Sequence, residues 1–187
     1  AGDWQGIVTE GGGADTRLDY AIVSYADTGL SVEEAAFSVS NTEFSDCVTG
    51  INAYSPSSAT VEDSAFIGNT TGVYVSWGSI TVESCWFDGN ATGLEGGSAS
   101  SLVISESTIE NNDIGINADG ATISHNLLTG NQTAIATQNS NTTMEYNIID
   151  SNVDGITLGG YPIRKEMHYN SFTNNTGYAV IYIGGYD

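Results

Sequence analysis

Apolar residues recur along this chain in pairs, the second five places after the first, and the pairs return about every 21 residues: Leu18/Val23, Val39/Phe44, Val61/Phe66, Val82/Phe87, Ile104/Ile109, Ile123/Leu128, Met144/Ile149 and Met167/Phe172. A unit this short cannot bury a core alone, so eight copies predict a solenoid of stacked coils. Within a unit, apolar and polar residues alternate, as at Val73 and Val75, Ile80 and Val82, and Ile156 and Leu158. That is the period of a strand, not of a helix. Clusters of Gly, Asn, Asp and Ser bound these stretches, and the prolines, Pro56 and Pro162, fall between them, so three short strands per coil are expected. Stacked in register, each strand pairs in parallel with its equivalent one repeat later, at about 4.8 Å, and backbone chirality favours a right-handed path. The expected fold is an all-β, right-handed parallel β-helix of about eight coils, one domain spanning residues 1–187.

Two polar or small columns keep the same frame. An asparagine stands eight places after the lead apolar residue, at Asn69, Asn90, Asn112, Asn131, Asn152 and Asn175, with Ala26 and Cys47 in the first two coils. Asparagine tolerates left-handed turns and bonds its own turn, and identical amides stacked coil on coil can bond each other, so this column predicts a structural ladder. A shorter column, Asn126, Asn147 and Asn170, continues Thr42, Ser64, Cys85 and Ser107. A small residue followed by an aliphatic one recurs from Gly29-Leu30 to Gly155-Ile156 and blurs at Tyr178-Ala179.

Composition narrows the partners. Twenty-three acidic residues face three basic ones, Arg17, Arg164 and Lys165, for a net charge of −20. Such a surface does not neutralise phosphates, which disfavours nucleic acid, and it repels an anionic membrane. Acidity of this kind fits a high-salt habitat, calcium binding or simple solubility. The longest apolar stretches are strand-sized, so no membrane insertion is expected. Residues Gly2-Asp3-Trp4 read as the middle of a coil, and the chain is expected to be a segment or processed form of a longer secreted protein. Cys47 and Cys85 fall in different columns two coils apart, which predicts small buried fillers, not a disulfide.

The chain resembles the right-handed parallel β-helix repeat proteins of the broad pectate-lyase-like superfamily over essentially its whole length. The resemblance is carried by Trp4-x-Gly6-Ile7, by Leu18-Asp19-Tyr20-Ala21-Ile22, and by turns such as Asn69-Thr70-Thr71-Gly72-Val73 and Asn90-Ala91-Thr92-Gly93-Leu94. It implies the architecture but not an activity, because the superfamily includes lyases, hydrolases, tailspikes, adhesins and surface-layer components. Its enzymes would be expected to carry long loops forming a cleft, with basic residues for uronate carboxylates. Here coil spacing varies only between 19 and 23 residues, and the basic pair Arg164-Lys165 is read as a loop with a solvated charge.

Candidate chemistry is sparse. Glu62 and Glu83 share an outward phase in adjacent coils, as do Asp88 and Glu110. Each pair is a candidate for a shared cation such as Ca2+, or for the carboxylates of a glycosidase, which stand about 5 to 9.5 Å apart. His125 and His168 lie at different phases, without metal-ligand company. Among the Asn-x-Ser/Thr sites at Asn69, Asn90, Asn131, Asn141 and Asn174, Asn141 is the best glycosylation candidate, because three others coincide with the ladder. One outward column, Ile22, Glu43, Ala65, Trp86, Thr108, Leu127, Ile148 and Ser171, predicts an exposed apolar stripe at Trp86, Leu127 and Ile148, and therefore a contact surface.

The expected function is a non-enzymatic extracellular or cell-surface module, structural, filament-forming or adhesive, presenting a rigid anionic rod. The alternative is a carbohydrate-active β-helix, binding glycans through Tyr74, Trp77 and Trp86 or hydrolysing them with paired carboxylates. A groove lined by both aromatics and carboxylates would favour the alternative. Ile181 and Ile183, in the last strand-like run, are candidates for self-association through an uncapped coil, with other surface proteins as further partners.

Overall fold

Every coil turns its first corner of this kind at a residue with left-handed backbone, and the residue after it points inward. In the computed structural model, which describes residues 2–10, 15–97, 100–138, 141–160 and 165–184, these corner residues are Tyr20, Asn41, Asp63, Ser84, Glu106, His125, Tyr146 and Tyr169, with φ from 47° to 58°. A second corner uses Tyr25, Asp46, Gly68, Gly89, Asn111, Gly130, Ser151 and Asn174, all at positive φ. The ladder asparagines therefore follow the left-handed residue and do not occupy it. Only in that arrangement does the amide face the interior and reach the next coil.

The corners separate three parallel sheets. Among the described residues, the first sheet has nine strands, from Ile7–Glu10 through Thr71–Ser76 to Val180–Gly184. The second has eight, from Asp15–Asp19 to Lys165–His168. The third also has eight, from Ile22–Ser24 to Ser171–Thr173. Each strand hydrogen-bonds to its equivalent in the coils below and above, so the chain is an all-β parallel solenoid of about eight turns of about 21 residues. The lead column pairs in register from Leu18↔Val39 to Met144↔Met167.

Stacking places like on like in the core. Phe44 and Phe66 stack with ring centroids 5.3 Å apart, and Phe66 and Phe87 with centroids 4.8 Å apart. The column continues through Ile109, Leu128 and Ile149, each fully buried. Burial of each such side chain contributes about 1.5 to 3 kcal/mol. The glycine column lies against these rings: a Cβ on Gly72 would stand 2.5 Å from the Gly93 carbonyl oxygen and 3.1 Å from Phe87 Cδ1. Alanine enters the column at Ala134, past the phenylalanines, where Ile109 and Leu128 take their place.

The ladder satisfies its amides completely. Asn90 Oδ1 accepts from the backbone N and Nδ2 of Asn69, at 2.9 and 3.1 Å, while its own Nδ2 donates to Asn112 Oδ1 and to the Phe66 carbonyl, both at 2.9 Å. The run extends from Asn69 to Asn175. A second ladder links Asn126, Asn147 and Asn170, with Thr42, Ser64 and Ser107 hydroxyls accepting the equivalent backbone N–H in earlier coils. Cys47 and Cys85 occupy ladder positions as buried free thiols, with Sγ turned to carbonyls such as those of Ser45 and Glu83.

Two expectations change. The last small-aliphatic pair is Ala179-Val180, not Tyr178-Ala179, since Ile156 pairs with Val180. The turn before it is one residue longer. Ile181 and Ile183, the self-association candidates, pair with Thr157 and Gly159, the phase alternate to buried Ile156 and Leu158, which Val180 and Tyr182 continue. Lys165 is a strand residue rather than a solvated loop charge: its Nζ reaches Thr137 Oγ1 at 3.1 Å, and partial burial lowers its pKa. Arg164 lies outside the described residues.

Candidate functional site

A groove of about 640 Å3 runs along the rod across the first four coils, beside the corner that joins the second and third sheets. One wall is the left-handed corner column, Tyr20, Asn41, Asp63 and Ser84. The other is the outward column of the third sheet, Ile22, Glu43, Ala65 and Trp86, held in line by strand pairing. Ala21, Thr42 and Ser64 form the floor. Three coil-to-coil steps of about 4.8 Å make the groove about 14 Å long, the length of a short oligosaccharide. Small Ala65 leaves the space that Trp86 closes at one end.

The floor has no chemistry to spare. Thr42 and Ser64 are buried, and their hydroxyls donate to the Ser40 and Glu62 carbonyls while accepting backbone N–H groups from Ala21 and Thr42. Recognition falls to the walls. Tyr20 is 80 % and Trp86 41 % exposed, a cost in water that a bound ring would relieve. Trp86 is pinned, because its Nε1 donates to Glu110 Oε1 at 2.7 Å. Glu43 accepts from Ser45 Oγ through one oxygen, and the Asp63 carboxylate has no hydrogen-bond partner among the described residues. Arg17, in the strand Asp15–Asp19 of the first coil, is turned to Asp19, Nη2 to Oδ2 at 3.5 Å. Asp19 itself is held below the usual carboxylate range, first by the Ser40 hydroxyl and further by Asn41 and Arg17.

The other sequence candidates are distributed around the rod. Glu62 and Glu83 do pair in register on the second sheet, and Asp88 pairs with Glu110 on the third. The second pair is divided between different donors: Glu110 takes the Trp86 indole, and Asp88 takes Asn111 Nδ2 at 2.8 Å. Each carboxylate thus accepts its own hydrogen bond through one oxygen. Among the described residues no group of three or more His, Cys, Asp or Glu converges as a metal site. Among the described residues no helix is long and apolar enough to cross a membrane.

Leu127 and Ile148 are exposed and stack directly, Leu127↔Ile148, on the third sheet. Trp86 is separated from them by Thr108, so the expected stripe is two patches. Tyr74 and Trp77 do not join Trp86, since Tyr74 sits on the outer face of the first sheet and Trp77 at the corner after it. Asn69, Asn90 and Asn131 are buried in the ladder, whereas Asn141 is exposed. Asn174 is exposed with its Nδ2 on Asp150 Oδ1 at 2.8 Å.

Sequence reasoning missed the corner wall. Its residues follow the lead residue by two places in all eight coils, a regular phase in which the four groove positions Tyr20, Asn41, Asp63 and Ser84 are all different. The same phase carries a second surface feature, an aromatic stack of His125 on Tyr146 at 5.0 Å and Tyr146 on Tyr169 at 4.9 Å.

Comparison with known families agrees with this architecture. The model of the right handed beta helix region matches residues 2–121 and, in a second overlapping match, residues 49–187. No curated protein and no solved structure matches the chain.

Proposed function

The chain belongs to the right-handed β-helix family, and on that premise we propose that it is an extracellular adhesive module that binds a glycan in the groove between Tyr20 and Trp86 without cleaving it. The groove carries this reading: two exposed aromatic side chains and two carboxylates line one elongated depression of about 640 Å3. Aromatic faces supply flat apolar surface for sugar rings, and carboxylates accept hydrogen bonds from their hydroxyls. Short coils support binding over catalysis, because no long loop encloses the groove, and a glycosidase must desolvate a protonated acid beside its nucleophile. An anionic rod that repels nucleic acid and anionic membranes suits an extracellular setting.

The test is isothermal titration calorimetry against a panel of soluble linear oligosaccharides, with chromatography of the mixtures for products. Saturable one-site binding is expected, with Trp86→Ala weakening it about tenfold, a loss of about 1.4 kcal/mol, and no shortened products. Binding indifferent to both Tyr20→Ala and Trp86→Ala would remove the groove from the account. Shortened products, lost in Asp63→Asn or Glu43→Gln, would make it an active site.

A further inference from the structure

We propose that the glycan is polycationic, a chain of free amino sugars; this rests on the glycan-binding reading and specifies its ligand. The walls of the groove present the two kinds of group that hold an ammonium. Glu43 and Asp63 stand on opposite walls in adjacent coils, and the Asp63 carboxylate is without a partner among the described residues. Tyr20 and Trp86 supply exposed aromatic rings, whose faces attract a cation through the ring quadrupole. Trp86 cannot turn its N–H to a ligand acceptor without giving up Glu110, so its contribution is the ring. The floor hydroxyls are consumed by the backbone, and no basic residue lines the groove. A uronate would meet carboxylates with no counter-charge, and an uncharged sugar would leave Asp63 with weaker donors than an ammonium brings. The field of a chain with net charge −20 adds to the local concentration of a cationic ligand.

Charge of that size would attract any polycation, so the experiment separates the groove from the field. Calorimetry at mildly acid pH compares a fully deacetylated β-1,4-glucosamine oligomer, its N-acetylated counterpart and an oligogalacturonate of equal length. The deacetylated oligomer is expected to bind at least about tenfold more tightly than the acetylated one at low salt, with the ratio shrinking as salt is added. The galacturonate should not bind. Glu43→Gln with Asp63→Asn should abolish the preference, while Glu62→Gln with Glu83→Gln, an equal loss of two charges from the second sheet, should leave it intact. Equal losses in the two double variants, or an acetylated oligomer bound as tightly as the deacetylated one, would overturn the proposal while leaving glycan binding standing. Failure of all three oligomers to bind would overturn the adhesive reading with it.

Discussion

Asn90 gives both its backbone N–H and its side-chain Nδ2 to one acceptor, Oδ1 of Asn112, each at 2.9 Å. Asn112 in turn gives both of its own to Asn131 Oδ1. Removing the amide at the centre of this run strips an acceptor from the coil below and a donor from the coil above, all in a buried column. Asn112→Ala is expected to cost about 1 to 3 kcal/mol, read as a lower denaturation midpoint. An unchanged midpoint would show that the ladder does not contribute to stability.

The glycine column gives a sharper contrast. Gly72→Ala drives a Cβ against the Gly93 carbonyl and the Phe87 ring, so overpacking of about 1 to 3 kcal/mol is expected. Gly89→Ala meets nothing within 4 Å and bears only the strain of φ +66°, about 1 to 2 kcal/mol. Alanine at Gly72 should also perturb the Phe66–Phe87 stack. Near-ultraviolet spectra and thermal melts of the two variants check the difference; a milder effect at Gly72 would contradict the close-contact account.

Carboxylates in register, as at Glu62 and Glu83, repel at coil spacing, and salt should screen them. The melting temperature is expected to rise with sodium chloride, and more steeply with calcium chloride at matched ionic strength if that pair shares an ion. Glu62→Gln would then erase the calcium increment and lessen the rise with sodium chloride, since it also removes the repulsion that salt screens. Equal curves for the two salts would leave screening and remove the calcium part.

Two groups set opposite pH limits. The Asp150 carboxyl is held below its ordinary value of 3.8, first by Thr173 Oγ1 and then by Ser151 and Asn174. Because the folded value is depressed, its contribution is present above the unfolded pKa and is lost as pH falls through the folded one. Asp150→Asn should therefore lower stability at neutral pH, where that contribution is fully present, and flatten the acid side of a stability–pH profile, where the wild-type protein loses it as well. Burial pushes the Cys85 thiol up from 9.0 to about 12. A raised thiol contributes fully below the unfolded value and loses its contribution as pH rises through 9 toward 12. Alkylation of Cys85 at mildly alkaline pH should follow local or global opening of the coil, and labelling as fast as in denaturant would contradict its burial.

The sequence revealed the frame because the frame is repetitive: Val61, Val82 and Ile104 must each fill the same space, and Asn90, Asn112 and Asn131 must each reach the same neighbour. Position and residue type coincide wherever the interior decides. At Asp63, Ser84 and Glu106 the backbone is equally fixed, with φ of 47°, 54° and 52°, but the side chains point to water and nothing selects their type. One wall of the groove was for that reason invisible, although the phase two places after the lead residue would have located it. The opposite wall was legible through Trp86, whose outward phase conflicts with its apolar ring. For Ile181 and Ile183 a strand-like run does not by itself say which of its alternate residues face in, and only the pairing with Thr157 and Gly159 sets their phase.

All three sheets and both amide ladders direct their hydrogen bonds along the rod, one coil to the next. Mechanical response should accordingly depend on the direction of pull. Tension shared evenly across a coil boundary loads three strands and two ladders together, whereas force that peels the chain from a coil opens one coil at a time. Peeling would release whole coils, each of about 21 residues, or about 70 Å of extended chain. Single-molecule extension should then show a regular sawtooth with that increment, and one large unfolding step instead would mean that the coils yield as a unit. A rod built this way would lengthen under load by shedding coils one after another, while coils not yet reached, the groove beside Tyr20 among them, stayed formed.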